Sequence, residues 1–403
     1  MRSLGLAALA FLVVGLAFAS GYASAMATAA TQRTATTMPP SLAPGTVENL
    51  PVFWEAWDLL KTHYYGELPP ADQLTPAALR GVVNSLGDPH TAYVDSLHAS
   101  IFQQDLEGNF EGIGATVRIN EQGQLVIVAP LEESPAERAG LLPGDIVLSA
   151  DGVPIKNMTV LEAVGLIRGP RGTTVRLMVQ HPGESTTFEV AIVRERINVA
   201  VVQFEMKGDD SGSDNIAYVK LTDFSANAPE QLKNALEKLL EQEPKGLILD
   251  LRNNPGGFLQ VAVNITGQFV PHEVILIERD KEGNERRHRS SRSGIAADIP
   301  LVVLVNKGSA SASEILAGAI QDHGRGVLIG ETTFGKGSVQ LSHTLSDGSS
   351  LRVTTAHWFT PLDREINGTG IEPDIVATRT AEDVRTGQDP QLDRAIEYLR
   401  RGK

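Results

Sequence analysis

Leu301-Val-Val-Leu-Val-Asn-Lys-Gly-Ser-Ala-Ser-Ala-Ser-Glu-Ile-Leu-Ala-Gly-Ala-Ile-Gln-Asp322 is the stretch whose reading decides the fold. Its apolar opening has no polar alternation, which predicts a strand covered on both faces, as parallel sheets require. A turn of small residues follows, then a helix over 311–322. The same rhythm recurs outward from it: strands at 216–221, 246–251 and 327–329, helices at 228–242 and 258–269. Alternating strand and helix implies βαβ units around a mainly parallel sheet. Chemistry in such sheets collects in loops beyond the carboxyl ends of strands. Two loops therefore stand out, Arg252-Asn-Asn-Pro-Gly-Gly257 and Asn306-Lys-Gly-Ser-Ala-Ser-Ala-Ser-Glu314.

Upstream, residues 105–196 change texture. Short strands are predicted at 114–119, 124–129, 145–150, 173–180 and 186–194, divided by glycine turns, with one helix at 159–167. Ser134-Pro-Ala-Glu-Arg-Ala-Gly-Leu-Leu-Pro-Gly-Asp145, followed by Asp151-Gly152, closely resembles a PDZ domain. The resemblance implies that Gly112, Ile113, Gly114 and Ala115 receive a peptide carboxylate on backbone N–H groups, while a sheet edge takes the peptide as an added strand. Arg168, in the cationic turn Arg168-Gly-Pro-Arg-Gly172, is a regulatory candidate that either contacts the downstream domain or closes a strand pair.

Between Pro51 and Val94, Phe53, Trp57 and Leu60, then Leu79, Val82, Val83 and Leu86, fall at helical spacing, so residues 51–104 are expected to form a helical cap. Gly87-Asp-Pro-His-Thr91 ends the last helix, because a residue before proline avoids the helical region. His90 reads there as a loop histidine rather than a catalytic one. At the amino terminus, Arg2, an apolar run from Leu4 to Ala19 and then Ala23-Ser-Ala25 predict an export signal over 1–25. A run of about 16 residues is shorter than the ~20 that cross a bilayer, which favours a cleaved signal over an uncleaved anchor. Membrane contact is expected only through that anchor. Residues 26–50, with Pro39, Pro40 and Pro44, read as a flexible tether.

The whole chain, at 403 residues, is longer than one core usually organises. Its net charge of -14, with no basic stripe, argues against a nucleic-acid partner. The absence of cysteine excludes disulfides, a thiol nucleophile and a lipid-modified cysteine. None of the nine histidines forms a metal-ligand pattern such as HExxH, so no metal or other cofactor is expected.

A serine triad fails on geometry. Asp322 and His323 lie ~16–18 Å along one helix from Ser311, beyond hydrogen-bond reach; they read as a helix-end residue and a helix stop. What remains is a serine at a helix start with lysine as base. Ser309, Ser311 and Ser313 are all candidates by type. Ser311 with Glu314 matches a capping box, which sets Ser311 at the helix's positive end, where an oxyanion is stabilised. Lys336, in Thr333-Phe-Gly-Lys-Gly-Ser-Val-Gln340, has flanking glycines and few nearby carboxylates. It can act as base near neutral pH only if burial depresses its pKa. Gln340 can orient the amine without adding charge.

With LGDPHTAYV, the PDZ segment, DLRNNPGG and NKGSASASEILAGAIQDHGRGVLIGETTFGKGSVQ all present, residues 50–378 resemble the carboxyl-terminal processing proteases, tail-specific serine peptidases with a Ser-Lys dyad. The resemblance implies Ser311 as nucleophile, Lys336 as base, Gln340 as its support, and an oxyanion hole from the N–H of Ala312 with Gly256 or Gly257. The expected architecture is multidomain α/β: signal or anchor 1–25, tether 26–50, helical cap 51–104, PDZ domain 105–196, protease core 197–378 and a helical tail 379–403. The segment Arg286-Arg-His-Arg289 reads as a solvated loop in an insertion. The expected function is an exported, periplasmic or extracytoplasmic endopeptidase that binds protein C-termini and cleaves extended chains. The rival is a non-catalytic PDZ scaffold on the same fold, disfavoured by the intact dyad. Self-association is left open.

Overall fold

The computed structural model describes residues 50–208, 215–291 and 294–401. The expected signal segment and all of the tether but Leu50 lie outside these residues. The chain divides into two units, residues 1–74 and 75–403. In the first, Pro51 opens the helix Pro51–His63, where its missing N–H costs no hydrogen bond. The helix Ala71–Asn84 starts in the first unit and runs on into the second.

In the second unit, the helical cap expected up to residue 104 is interrupted. Residues Ala92–Val94 form a strand paired antiparallel with Ser350–Phe359, and the helix Ser96–Leu106 follows, capped by the Asp95 side chain. Asp88 organises the preceding turn by accepting from the N–H groups of His90 and Thr91. Thr91 in turn accepts from the Thr354 N–H, so the loop is fastened to the strand Ser350–Phe359.

The PDZ sheet runs Ala115–Ile119, Leu125–Pro130, Ile146–Ala150, Thr174–Gln180, Thr187–Val193 in antiparallel order, with Val153–Pro154 beside the third. Along Thr174–Gln180 the two-residue period is plain: Val175, Leu177 and Val179 are fully buried while Thr174 and Arg176 face solvent. The helix Val160–Ile167 starts at a complete Thr159–Glu162 capping box. A short helix, Pro135–Arg138, was not expected from periodicity; Ser134 caps it and it is too short to carry a period.

The carboxy-terminal half is built on a six-stranded sheet in the order Val202–Lys207, Ile216–Leu221, Gly246–Asp250, Leu301–Val305, Val327–Gly330, Ile375–Val376. All pairs are parallel except the first. Alternate residues of the central strands feed two cores. Leu247, Leu249, Leu301, Val303 and Val305 face the helices Ala228–Leu240, Leu259–Thr266 and Ala312–Asp322, whereas Ile248, Val302 and Leu304 meet Ala395 and Leu399. The last two belong to the helix Pro390–Arg401, so the expected tail is the second cover of the sheet. Burying one such leucine contributes about 1.5–3 kcal/mol. Gly246 makes room for it, since a Cβ there would stand 2.8 Å from a Leu399 methyl.

A second sheet joins Ala92–Val94, Ser350–Phe359, Val274–Asp280 and Glu285–Arg289, with Ser338–Thr344 also on Ser350–Phe359. Arg286–Arg289 is thus an edge strand and not a solvated loop. The hairpin is closed by Arg279 to Glu285 and by His288 to Glu278 at 2.8 Å. Charged residues on both faces hide a strand from a period-two reading, and they also protect an open edge from pairing with other chains.

Candidate active site

The buried strand Leu301–Val305 delivers the serine loop to the carboxyl end of the sheet, and side-chain hydrogen bonds then set its path. Ser309 Oγ donates to the Leu251 carbonyl at 2.8 Å and accepts from the Asn306 N–H at 3.0 Å. Ser313 Oγ donates to the Asn254 carbonyl at 3.0 Å. Both serines are fully buried. Ser311 alone of the three is partly exposed. It sits at the N-cap of Ala312–Asp322 with φ 54° and ψ -112°, a region a β-carbon disfavours and one that holds the residue on a sharp turn between strand and helix.

Glu314 is what stabilises that turn. Its carboxylate is fully buried. One oxygen accepts from the Ser311 N–H at 2.7 Å and the Lys336 N–H at 2.9 Å. The other accepts from Thr333 Oγ1 and the Gly335 N–H, each at 2.6 Å. Four donors around one carboxylate offset its desolvation. They also fasten the lysine loop to the serine turn. Sequence offered Glu314 only as a helix cap; an acid among small and apolar helix residues was the available signal.

Lys336 is half-buried. Burial lowers the pKa of its amine below the ordinary 10.5; the Arg352 guanidinium adds to that, and Glu314 opposes it. No hydrogen bond joins Ser311 Oγ to Lys336 Nζ among the described residues. Gln340 Nε2 donates to Ser338 Oγ at 2.7 Å, and among the described residues no hydrogen bond joins Gln340 to Lys336. The strand carrying it slips register between Val339 and Gln340, so even spacing from Lys336 does not by itself set a shared face.

The glycine turn lies directly under Ser311. A Cβ on Gly256, φ +104°, would stand 2.8 Å from the Ser311 Cβ and 2.9 Å from the Ala312 nitrogen. The Gly256 N–H is bonded to Asn254 Oδ1 at 2.9 Å. Gly257 bridges Phe224 as an extra strand position. Among the described residues neither its N–H nor that of Ala312 has a protein acceptor. The donor pair open to a developing oxyanion is therefore Gly257 with Ala312. Asn254, itself fully buried, also donates to the Leu221 carbonyl at 2.8 Å and so fixes the turn to the sheet. Behind it, Arg252 pairs with Asp250 and Asp389, both at 2.7 Å, which ties this loop to the start of the carboxy-terminal helix.

The remaining candidates fall elsewhere. Asp322 accepts from the Leu362 N–H and from Arg364, and His323 Nε2 meets the Val274 carbonyl at 2.8 Å, both away from Ser311. His90 stays in its turn. In the PDZ domain, the carbonyls of Ile113 and Gly114 accept from Ala136 and Leu131, while among the described residues their N–H groups have no acceptor. Gly114 has φ +75°, and a Cβ there would press on Ser134 at 2.5 Å. The loop enters Ala115–Ile119, the end strand of its sheet. Arg168 donates to Asp105 at 3.0 Å and lies 4.3 Å from the Phe110 ring centroid. It thus reaches the helix Ser96–Leu106 and packs on the strand Asn109–Gly112, which pairs with Glu195–Asn198; Gly169 and Arg171 of the same turn donate to Glu111, so of the two expected roles the turn lies against a strand pair. Among the described residues no group of three or more acidic or histidine side chains is placed to hold a metal ion.

Residues 215–377 match the sequence model of Peptidase family S41, and residues 126–181 that of the PDZ domain. The carboxy-terminal processing protease CtpA of Bacillus subtilis (strain 168) is 36% identical over 323 residues, covering 80% of this chain and 68% of that protein. The carboxyl-terminal-processing protease of Synechocystis sp. is 37% identical over 350 residues, covering 86% and 82%. The chain belongs to peptidase family S41.

As an S41 serine-type peptidase with a PDZ domain, it takes peptide or protein substrates. The solved photosystem II D1 C-terminal processing protease is similar in fold, with TM-score 0.50 and 30% identity over 80% of this chain and 86% of that one. A putative S41 protease from Bacteroides fragilis shares the fold at 17% identity and TM-score 0.53, covering 87% and 97%. The S41 match begins just ahead of the strand Ile216–Leu221 and ends just after Ile375–Val376, so it takes in five of the six strands of the parallel sheet, together with the serine and lysine loops.

Proposed function

We propose that this chain is an exported endopeptidase that captures a polypeptide by its C-terminus on the PDZ domain and cleaves it through a Ser311–Lys336 dyad. The observation that carries the reading is Glu314, whose carboxylate binds the N–H groups of both proposed catalytic residues. One group anchoring both makes sense if the two must meet with little freedom. The neutral Lys336 amine takes the Ser311 proton as Oγ attacks the scissile carbonyl. The oxyanion is held by Ala312 and Gly257, the protonated lysine returns its proton to the leaving amine, and water then hydrolyses the acyl-enzyme. Gln340 Nε2 is held by Ser338, which leaves its Oε1 as an acceptor for the Lys336 amine. The apolar amino-terminal run supports export to an extracytoplasmic compartment, with an uncleaved anchor as the second form.

The test uses an unstructured reporter peptide with a free or an amidated C-terminus. Amidation removes the carboxylate and should raise KM. Ser311→Ala and Lys336→Ala should each abolish turnover, and the double variant should be no worse than either alone. More than a few per cent of activity in either single variant overturns the dyad; equal KM for both peptides overturns capture by the carboxylate.

A further inference from the structure

Asn254 is fully buried, and its hydrogen bonds run to both of the loops that supply the oxyanion donors. Its carbonyl serves the serine loop, accepting from the Ala310 N–H and from Ser313 Oγ, each at 3.0 Å. Those two residues bracket Ser311 and Ala312. Its side chain serves the glycine turn and the sheet: Oδ1 accepts from the Gly256 N–H at 2.9 Å, and Nδ2 donates to the Leu221 carbonyl at 2.8 Å. Asn254 is thus bonded to neighbours of Ala312 and to the neighbour of Gly257.

Other bonds join the same two loops further along the chain from those donors. Asn306 Nδ2 donates to Asn253 Oδ1 at 3.0 Å and its Oδ1 accepts from the Asn253 N–H at 2.9 Å, while Ser309 Oγ donates to the Leu251 carbonyl. The glycine turn is held on its other side by the Phe224 N–H, which donates to the Gly256 carbonyl at 2.9 Å. With its N–H on Asn254 and its carbonyl on Phe224, Gly256 has no backbone group left to turn. The side chain at 254 must therefore accept and donate at once over a short reach. Asparagine does both, whereas an aspartate carries no donor for Leu221 and a glutamine is one methylene longer.

We propose that Asn254 is a positioning residue for the oxyanion hole: by occupying the Gly256 N–H it leaves the Gly257 N–H to the substrate, and through its carbonyl it sets the distance from that donor to Ala312. Donors on two separate loops stabilise a developing charge only if their spacing is fixed before the reaction begins. The proposal rests on reading Ser311 as the nucleophile, and the experiment separates the two.

The test is a double-variant cycle on the reporter peptide, with Asn254→Ala, Gly257→Ala and the two combined, alongside Ser313→Ala and Ser311→Ala. Asn254→Ala should lower kcat about a hundredfold at nearly constant KM, approaching the loss of one oxyanion donor. Because it acts through the Gly257 N–H, it should cost no more than about threefold when added to Gly257→Ala. Ser313→Ala removes one of the two bonds to the Asn254 carbonyl and should lower kcat about three- to tenfold, again with KM unmoved. If Asn254→Ala does not fold, Ser313→Ala alone and combined with Gly257→Ala carries the test. Wild-type kcat, losses that multiply in the combined variant, or a rise in KM alone overturns the proposal and leaves Asn254 as a part of the fold. Activity retained in Ser311→Ala would overturn the nucleophile itself, an outcome distinct from multiplied losses.

Discussion

One oxygen of the Glu314 carboxylate lies 2.7 Å from the Ser311 nitrogen and 2.9 Å from that of Lys336, so a single buried acid holds both the serine turn and the lysine loop. Glu314→Gln turns one acceptor into a donor facing three N–H groups and one hydroxyl. Each charged hydrogen bond lost contributes about 1.5–3 kcal/mol, and an amide facing an N–H adds repulsion. The variant should melt lower and lose at least tenfold in kcat. Thermal unfolding followed by circular dichroism, together with turnover on the reporter, checks both; wild-type kcat would show that the bridge is not needed for chemistry.

Gly257→Ala places a Cβ 2.5 Å from the Phe224 carbonyl oxygen at φ +151°. The turn must shift, and the Gly257 N–H with it. Losing one oxyanion donor costs about 10²–10³ in kcat. KM should change little, since the ground-state carbonyl depends less on that donor. Steady-state kinetics on the folded variant decides the matter.

The lowered pKa of Lys336 has a consequence for stability. Between its folded value and the ordinary 10.5, the unfolded chain binds a proton that the folded chain does not. Stability therefore rises with pH across that window, and the amine is a net cost below it. Lys336→Met should be more stable than the wild type at neutral pH, and the gain should shrink as pH approaches 10.5. Urea midpoints at several pH values give the sign directly.

Asp223 gives the opposite slope. Burial raises its pKa from 3.8 to about 6; hydrogen bonds from Ser225 oppose this and the Asp105 charge adds to it. Its Oδ1 is buried without a partner. The folded chain holds a proton on this carboxyl that the unfolded chain releases, so its contribution is present below 3.8 and is lost as pH rises through about 6. Asp223→Asn should raise the melting temperature at pH 7 and leave it nearly unchanged at pH 4. A destabilised variant at pH 7 would mean that the carboxylate is needed as an acceptor.

Several features were written into local sequence. Uninterrupted apolar runs such as Leu301–Val305 mark strands buried on both faces, and glycine with proline marks the turns between elements, because both signals act over a few residues. The PDZ strands and the placement of Ser311 at a helix start were legible for the same reason. Sequence already singled out Ser311 by its capping box and by the family resemblance; tertiary structure adds what the flanking serines do, because only packing commits Ser309 to Leu251 and Ser313 to Asn254. It also made the carboxy-terminal helix a cover for the sheet and made Glu285–Arg289 a strand. The reach of Arg168 to Asp105, of Glu314 to Lys336 and of Arg352 to Phe102 belongs to the same class. Those contacts join residues far apart along the chain, and propensity and periodicity carry no information about which distant side chains will share a buried space.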